Sequence, residues 1–233
     1  WFEEICRRTA AMIAEWMRVG FVHGVMNTDN MSILGLTIDY GPYGWLEGYD
    51  PQWTPNSTDA EGRRYCYGNQ AGIAQWNLVR LAGALAPLIR DRAALERGLD
   101  VFGNTFEIAS GRMLADKLGL LALDREGDNA LLGELFELLQ QVETDMTLLF
   151  RNLAALPVEE TLGDNALVEP LRCAFYDDDA FTPAQLGRLG GWVRRYIARV
   201  RQDGVPASQR IARMNQANPK CARRRDFRSH LPL

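Results

Sequence analysis

From Trp1 to about Gly20 the apolar residues Phe2, Ile5, Ala10, Ile13, Trp16 and Met17 recur at three- and four-residue spacing, with Glu3, Glu4, Arg7, Arg8, Glu15 and Arg18 between them. Residues three and four apart share a helix face, so this pattern predicts a one-sided helix that Gly20 stops. Residues 21–30 are polar and turn-rich. Met31-Ser32-Ile33-Leu34-Gly35-Leu36-Thr37-Ile38 then alternates well enough to predict a short β-hairpin with Asp39 at its exit. Residues 40–70 hold five glycines, three prolines and a run of aromatic side chains, a composition that suits a long ordered loop. Helical spacing returns after Gly72 and predicts helices over 73–89, 93–118 and 128–153. Thr182-Pro183 supplies a cap and first helical position for a further helix to about Arg201.

The fold class expected is therefore mainly α with a small β-hairpin. A composition of 47% hydrophobic and 24% charged residues belongs to a globular chain with a sizeable core. The net charge of −4 gives no overall field that would draw the chain to nucleic acid or an anionic membrane surface, and neither partner is expected. No apolar run approaches the roughly 18 residues of a membrane-crossing helix. Trp1-Phe2-Glu3-Glu4 lacks the basic and apolar regions of a signal peptide, so a cytoplasmic address is expected. Those first residues, without a Met, already read as the middle of a helix, which suggests a fragment. Cys6, Cys66, Cys173 and Cys221 are scattered without a CxxC pair, and His23 and His230 are the only histidines. That set argues against a zinc site and for reduced thiols, mostly in the core.

The candidate chemistry lies in His23-Gly24-Val25-Met26-Asn27-Thr28-Asp29-Asn30 and the later Asp39-Tyr40-Gly41. Helix, polar loop, short hairpin and Asp-aromatic-Gly is the order in which protein kinases arrange metal-assisted phosphoryl transfer. Setting Asn30 on the metal-binding Asn of the kinase loop puts His23 on its His and Asp39 on its second metal ligand. The kinase base then falls on Val25, which accepts no proton, so either the site is inert or Asp29 has taken the role. Mg²⁺ takes hard oxygen ligands and keeps several waters, so Asn30, Asp39 and substrate phosphates form a sufficient set. His23 reads as a structural hydrogen-bonding residue of the loop. Asp177-Asp178-Asp179 reads as a solvated turn before a helix, and Lys220, Arg223, Arg224, Arg225 and Arg228 as an unstructured basic end.

The run HGVMNTDNMSILGLTIDYGPYGWLEGYDP, followed by NSTDAEGRRYCYGNQ and WNLVRLAGALAPLI, resembles the selenoprotein O family, also called YdiU-like proteins. The likeness is dense over 20–89 and revives near Trp192, Tyr196 and Met214-Asn215-Gln216-Ala217-Asn218-Pro219-Lys220. The resemblance implies a pseudokinase fold that binds ATP in a flipped orientation. It would transfer AMP to Ser, Thr or Tyr hydroxyls of other proteins, with Mg²⁺ or Mn²⁺. Carried over residue by residue, Asp29 matches the family's base, and Asn30 and Asp39 match its metal ligands.

The same resemblance implies that the ATP-contacting Lys and Arg residues precede Trp1, so the chain is expected to be a kinase-like C-lobe without its N-lobe and weak or inactive alone. Residues 1–233 then form one unit: helix 1–20, catalytic loop and Asp39 motif 21–41, activation-type loop 42–70, helical part 71–219 and basic tail 220–233. The family's redox-active C-terminal Cys has no match, and Pro55 stands where some members carry its partner, so disulfide control is not expected. Two rival readings remain at this point: ordinary kinase-type phosphotransfer, and a non-catalytic helical interaction module.

Overall fold

The computed structural model describes residues 1–158, 162–176 and 182–220. In chain order it forms helix α1 (Phe2–Val19), strands β1 (Phe21–Val22) and β2 (Gly44–Trp45), then α2 (Gln70–Leu85), α3 (Arg92–Leu118), α4 (Asp128–Gln141), α5 (Met146–Asn152), α6 (Asp164–Val168), α7 (Pro183–Asp203) and α8 (Ala207–Ala217). The mainly helical class with one small antiparallel sheet is as the sequence pattern predicts. No helix among the described residues is long and apolar enough to cross a membrane.

α1 buries Phe2, Ile5, Cys6, Ala10, Ile13 and Trp16, the face its spacing marks out, and Gly20 closes it in the left-handed conformation at φ 71°. It packs on α3 at close range, because Gly98 leaves the space Phe2 occupies: a Cβ there would sit 2.4 Å from the Phe2 ring. α3 has 27 residues, roughly 40 Å at 1.5 Å per residue, and so reaches two cores. Leu95 and Phe102 join α1 and α2 in one, while Ala115 and Leu118 join α4, α5, α7 and α8 in the other.

The second core is pinned by buried polar handles as well as by apolar contact. Trp192 and Tyr196 of α7 stack on each other at 5.3 Å, both fully buried. The Trp192 indole donates to the Leu131 carbonyl (2.8 Å) and the Tyr196 hydroxyl to that of Leu118 (2.7 Å), tying α7 to α4 and α3. Thr182 caps α7 with a reciprocal capping box through Gln185, as Thr182-Pro183 predicts.

Three expectations need correction. Residues 31–38 form no hairpin ladder; the only strand pair among the described residues joins Phe21–Val22 to Gly44–Trp45. The alternation is real but serves a different contact. Gly35 lies against Arg8 and Thr37 accepts from the Trp16 indole at 2.9 Å, so these face α1, while Leu34, Leu36 and Ile38 point to solvent. The helix expected over 128–153 breaks at Val142–Asp145, where Thr144 and Asp145 make bridges to Phe175 and Gly48. Asp145 then caps α5 by accepting from the Leu148 amide at 2.8 Å. α2 begins at Gln70, three residues earlier than its spacing suggests. The Asp177-Asp178-Asp179 cluster, Cys221 and the tail arginines lie outside the described residues.

Candidate functional site

α1 delivers the chain through Gly20 into β1, and from there into the polar loop. Gly24 is the tight point of that loop, at φ 79°, with its Cα close against the Pro42 carbonyl and Pro55. An added Cβ would come within 2.7 Å of the Pro42 oxygen, so only glycine fits. Asn56, from the long loop, reaches back and donates to the Gly24 carbonyl at 3.1 Å.

His23 is buried, with both ring nitrogens engaged. Nε2 lies 2.8 Å from the Ile38 carbonyl and Nδ1 accepts the Val25 amide at 3.4 Å, which the tautomer protonated on Nε2 satisfies. The structural role expected for His23 holds, and it is specific: the imidazole ties the loop at 23–30 to the residue immediately before Asp39.

Asp29 and Asn30 stand on a single 3-10 turn, Thr28–Asn30. The Asn30 amide nitrogen donates to the Val25 carbonyl at 3.0 Å, which fixes the side chain and leaves its oxygen available as a ligand. Position 25 thus works through its backbone. Its carbonyl holds Asn30 and its amide meets His23, so Val at this place costs the loop nothing structurally. Asp29 is exposed, and its carboxylate has no hydrogen bond or ion pair among the described residues. Asp39 is also exposed and adopts the left-handed conformation at φ 54°, with Gly41 donating to its carbonyl at 2.8 Å. A non-glycine residue held there carries strain of about 1–3 kcal/mol, a cost that clusters at functional positions.

One amide oxygen and one carboxylate fit a hard cation that keeps waters and shares substrate phosphates. No group of three or more His, Cys, Asp or Glu residues arranged for a metal occurs among the described residues.

Sequence reading missed the braces that hold this loop. Gln70, fully buried at the start of α2, accepts the His23 amide with Oε1 (3.0 Å) and donates from Nε2 to the Phe21 carbonyl (2.9 Å). Asn77, about two turns on, donates to the Met26 carbonyl at 2.9 Å. Tyr65 donates to Asn27 at 2.5 Å. Each joins residues far apart in sequence, and only the polar character of Gln70 and Asn77 on an otherwise apolar helix face hints at the role. Cys6 and Cys66 are buried, whereas Cys173 is exposed. Burial pushes the Cys6 thiol up to about 12 and the Cys66 thiol upward, so neither is a ready thiolate.

A family model for the protein adenylyltransferase SelO matches residues 1–230. Among curated relatives, the protein nucleotidyltransferase YdiU of Nitrosospira multiformis is 62% identical over 94% of this chain and 42% of its own length. Those of Rhodopirellula baltica and Aromatoleum aromaticum are 54% and 51% identical, over 94% of this chain and 42% and 41% of their own lengths. The chain thus spans about two-fifths of the relatives it matches. With a family model across nearly its whole length and relatives above half identity, the chain belongs to the SelO protein adenylyltransferase family.

Proposed function

We propose that this chain is the catalytic-loop part of a kinase-like C-lobe that transfers AMP from ATP to Ser, Thr or Tyr hydroxyls of proteins. The observation that carries the reading is the pairing of a tethered Asn30 beside an exposed, unpaired Asp29 with a strained Asp39 that His23 draws to the same loop. The exposed row Leu34, Leu36 and Ile38, next to Asp39, is a surface on which the rest of a kinase-like fold would close. The chain spans about two-fifths of its relatives' length, so the reaction is assigned to a protein of their length carrying this site.

In the reaction the acceptor hydroxyl oxygen bonds to the α-phosphorus of ATP, the bond from that phosphorus to the bridging oxygen breaks, and pyrophosphate leaves. Asp29 accepts the hydroxyl proton. A hydroxyl attacking phosphorus needs orientation more than strong basicity, which an exposed carboxylate on a rigid turn provides. Asn30 and Asp39 would hold Mg²⁺ or Mn²⁺, which when bound neutralises phosphate charge. His23, Gln70 and Asn77 keep the loop in place so that little reorganisation is needed. The reaction is assigned to the cytoplasm, with ATP and hydroxyl-bearing proteins as partners, and with neither nucleic acid nor a membrane involved.

The test is a set of single variants in a protein of the relatives' length. Asp29→Ala, Asn30→Ala and Asp39→Ala each lower transfer by about 10²–10⁴, the usual contribution of a positioned proton acceptor or charge-stabilising group, and the unfolding midpoint of Asp29→Ala, whose carboxylate is exposed, is unchanged. Full activity of folded Asp29→Ala protein would remove Asp29 as the proton acceptor.

A further inference from the structure

Next to the catalytic loop the surface changes character. Although the chain carries a net charge of −4, Arg64 and Arg80 both lie against the exposed ring of Trp76, 4.8 and 4.7 Å from its centre. Arg64 also lies 5.6 Å from the ring of Tyr65, whose hydroxyl holds Asn27 two residues before Asp29. Neither arginine has a carboxylate partner among the described residues. The nearby Asp59 is spent on the backbone, accepting the amides of Arg64 and Tyr65 at 2.9 and 2.8 Å.

Two guanidiniums crowded on one indole repel each other, and cation–π attraction at an exposed site returns only about 0.5–1 kcal/mol each. An anion between them would relieve that repulsion. The ladder also borders a cleft of about 310 Å³, walled by Arg80 and by Thr28, Met31, Ile33, Asn77 and Leu81. Asn77, 94% buried, lines the cleft, and its Oδ1, without a hydrogen-bond partner among the described residues, lies enclosed beneath the wall. Cation and apolar wall together describe a seat for a peptide bearing carboxylates. A polyanion such as nucleic acid is poorly matched to so small a cationic patch on an acidic chain.

We propose that the Tyr65, Arg64, Trp76, Arg80 ladder and its cleft bind an acidic segment of the protein substrate, so that acceptor hydroxyls flanked by Asp or Glu are selected. This rests on the reading of the site as acting on protein hydroxyls, and it adds which proteins are chosen.

The experiment titrates this chain, without ATP, with a serine peptide flanked by glutamates and with the same peptide carrying glutamines. Tryptophan emission reports binding, and Trp76→Phe assigns the signal. The glutamate peptide should bind about tenfold more tightly than the glutamine peptide and lose affinity as salt rises. Arg64→Ala with Arg80→Ala should remove that tenfold advantage while circular dichroism stays unchanged, both side chains being exposed. Equal affinity for the two peptides, undiminished binding by the double variant, no binding of either peptide, or displacement by inorganic pyrophosphate at equal concentration would each overturn the proposal. No transfer chemistry enters the titration. Failure here beside an active transfer assay removes only the selection surface, whereas a failed transfer assay leaves peptide binding to stand alone.

Discussion

Replacing Gln70 with Leu tests whether α2 holds the loop at 23–30. The side chain is fully buried, and Leu has nearly its volume, so the substitution removes polar contacts while leaving little cavity. Two groups lose partners: the His23 amide, now at 3.0 Å from Oε1, and the Phe21 carbonyl, at 2.9 Å from Nε2. A buried donor or acceptor left without a partner costs about 1–3 kcal/mol, so the two together predict a loss of about 2–6 kcal/mol. Against a total stability of about 5–15 kcal/mol this is a large fraction. With a urea dependence near 3 kcal/mol per M for a chain of this size, the unfolding midpoint should fall by about 1 M. Far-ultraviolet circular dichroism follows the midpoint. Near-ultraviolet signal follows the loop itself, since the Trp16 ring lies 5.4 Å from that of His23. A loss below about 0.5 kcal/mol, the range of a neutral surface change, would refute the bracing role.

Asp29→Ala should leave the unfolding midpoint within about 0.5 kcal/mol of the parent, because the carboxylate is exposed and unpaired among the described residues; calorimetry checks it. Gly24→Ala should cost about 1–3 kcal/mol in urea unfolding, since it combines a φ of 79° with a 2.7 Å approach to the Pro42 oxygen. Lys117 is buried with its ammonium 2.9 Å from the Arg18 carbonyl, and burial, helped by the Arg18 charge, pushes its pKa down to about 7. Between about 7 and the ordinary lysine value of 10.5 the unfolded chain therefore binds a proton the folded chain lacks. Stability should rise with pH in that window by up to about 1.4 kcal/mol per unit and be level below it; in Lys117→Met this rise should disappear.

What the sequence made legible was local. The α1 stripe and its Gly20 stop, the Thr182 cap, and the order of Asp29, Asn30 and Asp39 all depend on residues a few positions apart, where spacing carries the information. What it concealed depends on distant partners. The alternation over 31–38 is present, yet Gly35 and Thr37 take the packed side because Arg8 and Trp16 of α1 are there to meet them. The break before Asp145 exists because Gly48 and Phe175 supply bridges that helical spacing does not register. Gln70 sits in a glycine- and asparagine-rich stretch that reads as loop, and its function appears only when β1 lies beside it.

The most direct test of the account is to supply ATP labelled at the α- or the γ-phosphate to a protein of the relatives' length that carries this sequence, with Mg²⁺ or Mn²⁺. Label from the α-position should enter protein, label from the γ-position should not, and Asp39→Ala should abolish the signal. Transfer of γ-label, or α-labelling that persists in Asp39→Ala protein, would contradict adenylyl transfer from this site.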